Sequence, residues 1–452
     1  MPTQATSKIV VGLALLALML FNLFYKLPDT QLEQFDEARY VASAQEMLNS
    51  GHYLVNTYQG QPDYWLAKPP LPYWCAMLGR VLVSNPIAGM RLFSAIAAAL
   101  TCLLVFSLAR RVAGFYAGAL AVALLLTMPS YLLDHGARNA DADSLLMLFL
   151  YAALCAFLLP GRRGLIIGYL LLGGAFMVKG MQVMPFALTA FVLSLYFRRR
   201  QGLSLASVLW TPLLFWLPVL PWALARYQYD GWQFFHVMFI VDVFQRYTRF
   251  LEGLVTDRTI YTSMYLECYG LVLLAVVLSL FFSRKWRPLL REPVFVQVFG
   301  WFLLPFLIFS ISKTHFYWYS YPMLPALVTV LACLLVKMVV DLPLPALSAV
   351  ALLCCFGVVH AEEDIAAHVS HGDMGFKAGT AAITRLSLQT PVGVTVPVYL
   401  EFNYRGDVAQ RDYATALLLG NIHTLPGGKA AFRQSTDPQS VYIDKDGNIT
   451  RH

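Results

Sequence analysis

Apolar runs of membrane length recur along most of this chain. They fall near residues 8–25, 91–110, 112–128, 143–160, 164–178, 183–197, 205–223, 259–283, 294–311, 319–338 and 343–360. A bilayer core needs about 17–25 such residues per helix, so the pattern predicts about eleven spans. Alternate connections are basic: Arg110–Arg111, Arg162–Arg163, Arg198 to Arg200, Arg284 to Arg291, and Lys337, with only Glu292 and Asp341 against them. Cytoplasmic loops carry such an excess of Lys and Arg. The N-terminus is therefore expected inside, with residues 28–90 and 223–258 forming long outer loops and 129–142, 179–182 and 312–322 shorter ones. The apolar run from Ile9 to Tyr25 is followed by no Ala-x-Ala cleavage signal and is expected to remain as the first span.

Two outer segments predict structure of their own. In "DEARYVASAQEML" the spacing places Asp36, Arg39 and Tyr40 on one helical face beside an apolar stripe of Val41, Ala44, Met47 and Leu48, with Asn49-Ser50-Gly51 as a stop. This reads as a short interfacial helix with its charges aimed away from lipid. Pro69 to Val83 reads as a further helix dipping into the membrane. Beyond Ala361 the chain turns polar. Residues 392–402 alternate like a strand, 408–419 read as a helix, and 440–450 read as two strands about an Asp446-Gly447 turn. The expected architecture is a mainly α, polytopic membrane domain (1–360) followed by a small soluble α/β module (361–452) on the outer side.

Composition agrees: 58% of residues are hydrophobic and 13% charged, against about 25% charged in soluble domains. The net charge of +7 is dispersed over short loops and implies no nucleic-acid partner. The seven cysteines lie mostly within apolar runs and lack metal-ligand spacing. His360, His368 and His371 read as part of a polar linker. No residue is assigned as a metal ligand, and a divalent cation is left open as the one cofactor.

Against this background the outer charges stand out. Asp36 and Arg39 alone would be an exposed ion pair. Lys68 is held in "AKPPLP", where prolines stiffen the backbone. Arg138, Asp141 and Asp143 stand at the mouth of the span at 143–160; either aspartate also suits a helix N-cap, but a carboxylate at that depth signals function. Lys179, Arg246, Lys313 and His315 complete the set, with Tyr321 closing the "SKTHFYWYSYP" stretch. Singly, each cation suits a snorkelling anchor. Together they suit a shared anion at membrane depth, such as a lipid phosphate.

"FDEARY", followed some 30 residues on by "AKPPLPYW", then "RNADADSLLMLF", "FMVKG" and "SKTHFYWYSYPMLPAL", resembles the motifs, in order, of bacterial GT-C glycosyltransferases related to 4-amino-4-deoxy-L-arabinose lipid A transferase and to protein O-mannosyltransferases. The resemblance covers roughly residues 8–340. It implies a GT-C fold in the bacterial inner membrane, acting as a monomer. It also implies transfer of a sugar from a polyprenyl monophosphate to lipid A, a glycolipid, a polysaccharide or a protein at the periplasmic face. Asp36 matches the family's base. Asp143 matches the second carboxylate, with Asp141 its near rival. Lys68, Arg138, Lys179, Arg246 and Lys313 match donor-phosphate contacts, and Glu37, Arg39, Tyr40, His315 and Tyr321 fall in the surrounding substrate site. Two departures stand: Ala67 occupies a place that is often acidic, and the chain is shorter than the lipid A transferase. A transporter of an anionic lipid-linked substrate and a non-catalytic envelope assembly subunit are the rival classes; clustering of the charges at one face, without a visible repeat, favours the enzyme.

Overall fold

The computed structural model describes residues 4–248, 257, 259–371, 378–400, 410–425, 428–444 and 446–451. Helix α1 (Gln4–Phe24) is followed by α2 (Asp36–Ser50), a small hairpin of β1 (Thr57–Tyr58) and β2 (Gln61–Pro62), and α3 (Leu71–Leu82). Next come α4 (Pro86–Ala113), α5 (Phe115–Leu126), the single turn α6 (Pro129–Leu132), α7 (Asp143–Phe157), α8 (Arg162–Lys179) and α9 (Met184–Phe197). Helices α10 (Leu205–Trp210), α11 (Val219–Asp230) and α12 (Gln233–His236) lead through a π-helical stretch, Val237–Gln245, into α13 (Arg246–Thr248). The membrane part closes with α14 (Ile260–Phe282), α15 (Pro293–Ile311), α16 (Leu324–Met338) and α17 (Leu344–His371). Among the described residues, eight helical segments are long and apolar enough to span a bilayer, and the shorter α5 and α7 are apolar as well.

Glycine sets two of the close approaches. A Cβ on Gly79 would stand 2.1 Å from the Gly89 carbonyl oxygen, so only bare backbone lets α3 lie against α4. Gly180, at φ +62°, ends α8. The chain then doubles back through α9, because Gln201 donates to the Phe157 carbonyl at 3.0 Å, beside the start of α8.

Helix α2 departs from its expected setting. It ends as predicted at Gly51, in the left-handed region at φ +71°. Its charges are not turned outward, however: Glu37, Arg39 and Glu46 are buried along with Ala38, Val41, Ala44 and Met47. The reason lies in what packs around it: Arg91 of α4 meets Glu37, Asp63 and Tyr58 meet Arg39, and Tyr413 of the C-terminal module meets Glu46.

That module contains α18 (Ala378–Gln389), β3 (Val396–Leu400), α19 (Gln410–Leu419), β4 (Ile422–Leu425), α20 (Gly428–Gln434), β5 (Val441–Ile443) and β6 (Ile449–Arg451). The sheet order is β4-β3-β5-β6, with β3 parallel to both neighbours and β6 antiparallel to β5. The expected helix is α19, and the expected strand is β3 shortened at its start, because residues 392–395 form a turn about Gly393 rather than strand; residues 401–402 and 408–409 lie outside the described residues. Ala382, Ile383, Leu386, Val398, Ala416, Val441 and Ile443 form the module's own core. Ala414 and Leu418, also on α19, enter the main core instead. Residues 361–371, expected as a polar linker, continue α17 as helix. His360 there is exposed, and the side chains of His368 and His371 lie outside what is described.

Candidate active site

A cavity of about 1290 Å³ opens among α2, the 63–68 segment, the 134–135 turn, the α8–α9 junction, the π-helical stretch and the segment after α15. Asp36, Lys68, His135, Lys179 and Arg246 line it, and Met181, Met184, Leu188, Ile308 and Phe309 supply an apolar wall.

Asp36 is the first residue of α2, where helical N–H groups favour a negative charge. It follows Phe35, whose backbone is held at φ +75°. The Asp36 carboxylate is 3.7 Å from His135 Nδ1, and the same nitrogen is 2.6 Å from Asp141. The imidazole stacks on Trp318 with ring centres 4.3 Å apart. His135 itself sits at φ +50°, an uncommon conformation for a residue with a Cβ. Burial and the neighbouring Asp141 raise the Asp36 carboxyl, while His135, Lys179 and Lys68 oppose that rise. Burial would depress His135, but Asp141 and Asp36 push it up to about 10. Burial likewise works against the Asp141 charge, yet His135 and Lys179 hold that carboxyl below its usual range. Two carboxylates thus share one imidazolium.

The cations around Asp36 are each met by a carboxylate. Lys179 pairs with Asp143, which is fully buried behind that lysine, and Lys179 rather than Asp143 lines the cavity. Lys68 is 2.9 Å from Asp242, and Arg246 is 3.3 Å from the other oxygen of the same carboxylate. Arg39 pairs with Asp63 at 3.1 Å and lies over the Tyr58 ring, 3.8 Å from its centre.

Other residues singled out in the sequence stand behind the cavity wall rather than on it. Glu37 is clasped by buried Arg91 at 2.7 and 3.0 Å and also accepts the N–H groups of Glu33 and Ala140. Arg138 donates to the carbonyls of Asn22, Tyr25 and Lys26, capping the end of α1. Tyr40 packs on Tyr73 with ring centres 5.2 Å apart. Lys313 is tied by its backbone N–H to the Tyr247 carbonyl. His315 is buried against Tyr261, and Tyr321 is buried beside Tyr317.

Several groups at the cavity escaped sequence reasoning: His135, Asp242, Glu33, Asp134 and Gln410. Burial, Glu37 and Asp134 push the Glu33 carboxyl up to about 8. Asp134 accepts a short hydrogen bond from Tyr317. His135 lies within the stretch that supplied Arg138, Asp141 and Asp143, and proximity to those residues was its only signal. Asp36, His135 and Asp141 also bring one ligand atom each within 4.8 Å of one another, and two carboxylates with an imidazole are a donor set that divalent cations accept.

Comparison with known proteins finds similar sequences and a similar fold. A family model described as dolichyl-phosphate-mannose-protein mannosyltransferase matches residues 67–223. The undecaprenyl phosphate-alpha-4-amino-4-deoxy-L-arabinose arabinosyl transferase of Edwardsiella ictaluri is 31% identical over 329 residues, covering 70% of this chain and 58% of that one. The structure of ArnT from Cupriavidus metallidurans bound to undecaprenyl phosphate superposes with a TM-score of 0.67 at 18% identity, over 97% of this chain and 89% of that one. This chain has the GT-C fold of that transferase. The Pseudomonas aeruginosa (strain UCBPP-PA14) arabinosyl transferase of the same description is 28% identical over 71% of this chain and 59% of its own length. An Archaeoglobus fulgidus oligosaccharyltransferase tethered to an acceptor peptide shares the fold more distantly, with a TM-score of 0.54 at 12% identity, over 95% of this chain and 65% of that one. The chain spans just under three fifths of the length of the curated arabinosyl transferases it matches.

Proposed function

We propose that the chain moves a sugar from a polyprenyl monophosphate to a hydroxyl or phosphate oxygen of an envelope acceptor, inverting the anomeric centre. The observation that carries this reading is the cavity itself: Asp36 shares it with the cations Lys68, Lys179 and Arg246 and with an apolar wall, while Glu33, Asp134 and Asp242 complete its charged lining. Its volume exceeds the roughly 300–1,000 Å³ of ordinary small-molecule sites, leaving room for a phosphosugar and the start of a lipid tail. The undecaprenyl phosphate bound by the Cupriavidus ArnT has that chemistry.

Asp36 accepts the proton of the attacking hydroxyl as the new bond to the anomeric carbon forms; such base catalysis contributes about 10²–10⁴-fold. Its raised affinity for protons suits this task. The bond from that carbon to the phosphate oxygen breaks, and the electron pair leaves with the lipid phosphate, which gains a negative charge. Lys68, Lys179 and Arg246 meet that charge in a water-poor setting, where fixed cations act most strongly. Asp143 is a positioning residue that aims Lys179. The basic connections at the far end of the helices support a cytoplasmic N-terminus and a periplasmic site, within the bacterial inner membrane. The C-terminal module then lies in the periplasm.

The test is mass spectrometry of envelope glycolipids and glycoproteins from cells with the gene, without it, and with Asp36→Asn. The sugar-bearing species is expected to appear with the wild-type gene only, while purified Asp36→Asn is still stabilised by undecaprenyl phosphate. Persistence of that species in the Asp36→Asn strain would overturn the assignment of the base.

A further inference from the structure

The C-terminal module does more than cover α2. Its helix α19 begins at Gln410, and Gln410 lines the same cavity as Asp36. The side chain is buried, with 7% exposure, and its Oε1 atom has no hydrogen-bond partner among the described residues. A buried amide oxygen without a donor is costly, and such atoms are rare in folded proteins. The placement is not loose. The next residue, Arg411, donates its backbone N–H to Gln34 Oε1 at 3.0 Å, two positions before Asp36. One turn further on, the Tyr413 hydroxyl donates to Glu46 near the far end of α2, and its ring meets Tyr58 edge-on at 5.1 Å. Glu46 in turn accepts from Thr57, Gln59 and Gly60, fixing the β1–β2 hairpin to the same helix. Helices α2 and α19 therefore move as one body, and that body carries both Asp36 and Gln410.

Phe35 and Trp65 also line the cavity, with exposures of 53% and 49%. Exposed aromatic faces beside polar groups suit the apolar face of a sugar ring or a lipid headgroup. We infer that Gln410 is an acceptor-binding residue: its amide oxygen accepts a hydrogen bond from a hydroxyl of the incoming headgroup, whose face rests on Phe35 and Trp65. The inference rests on the transfer reading above and deepens it, because the module becomes a working wall of the acceptor site. The acceptor then carries a hydrogen-bond donor on its headgroup, at the part of the cavity lining that Gln410 supplies.

The experiment uses the full chain. Conversion of acceptor in cells is read by mass spectrometry as the ratio of sugar-bearing to unmodified species, for wild type, Gln410→Ala and Gln410→Glu. Stabilisation of each purified protein by undecaprenyl phosphate is measured alongside. Loss of one hydrogen bond to substrate predicts a fall in conversion of about 5- to 10-fold in Gln410→Ala, with lipid-phosphate stabilisation unchanged. Gln410→Glu keeps acceptor oxygens at the same reach and is expected to retain most of the conversion. Wild-type conversion in Gln410→Ala overturns the inference. So does loss of lipid-phosphate stabilisation in that variant, since Gln410 would then support the fold rather than the acceptor. Absence of any sugar-bearing species in the wild-type strain overturns the transfer reading, and this inference with it.

Discussion

Lys68 Nζ lies 2.9 Å from the carboxylate of Asp242, which also meets Arg246 at 3.3 Å. One carboxylate thus spans two of the cations assigned to the donor phosphate. In the proposed reaction it is the anion that the lipid phosphate displaces. Asp242 belongs to the π-helical stretch Val237–Gln245, a geometry concentrated at functional sites. Asp242→Asn removes the competing charge while keeping the shape. Affinity for undecaprenyl phosphate is expected to rise on the order of tenfold, measured by titration of the purified protein. Weaker binding would show instead that Asp242 orients the cations in the bound state.

Glu37 and Arg91 form the most enclosed ion pair among the described residues, each side chain about 1% exposed. Arg91 also donates to the carbonyls of Leu27, Thr30 and Gln31, so it ties the exit of α1 to the start of α2. Breaking a buried pair from one side costs roughly 3–5 kcal/mol. Arg91→Met is therefore expected to lower the thermal stability of the purified protein sharply, with undecaprenyl phosphate binding lost only as the fold is lost. Selective loss of binding at full stability would return Glu37 to the substrate site.

That pair shows what was and was not legible in the chain. Apolar runs announced the membrane helices because lipid demands them locally, residue by residue. Asp36 and Lys68 were conspicuous because charges are scarce in such a sequence. Partners were not legible: Glu37 and Arg91 are 54 positions apart, and Lys68 and Asp242 are 174 apart. Nothing in periodicity links such positions. The adjacent carboxylates of "DE" looked alike in sequence, yet the helix turns Asp36 into the cavity and Glu37 back toward Arg91, 100° around the axis in an ordinary helix. Helix α2 looked like a surface helix because groups that bury it are remote in sequence, Tyr413 lying 367 positions from Glu46.

His135 makes the protonation of the site testable. A base must be ionised to work, and Asp36 is drawn toward its neutral form by burial and by Asp141. The imidazolium of His135, with its proton affinity raised to about 10, opposes that pull and remains charged through neutral pH. Lys179 and Lys68 oppose it too. His135→Gln keeps a polar side chain but removes the positive charge. With less to offset burial and Asp141, the Asp36 carboxyl rises further, and more alkaline solution is needed to ionise it. The acid limb of the transfer rate is therefore expected to move to higher pH in His135→Gln, with the rate at neutral pH falling and partly recovering as the pH is raised. A merely structural role for His135 would lower the rate at all pH values and leave the limb in place. The pH profile of transfer in purified wild type and His135→Gln separates the two: an unmoved or acid-shifted limb would remove His135 from the control of Asp36.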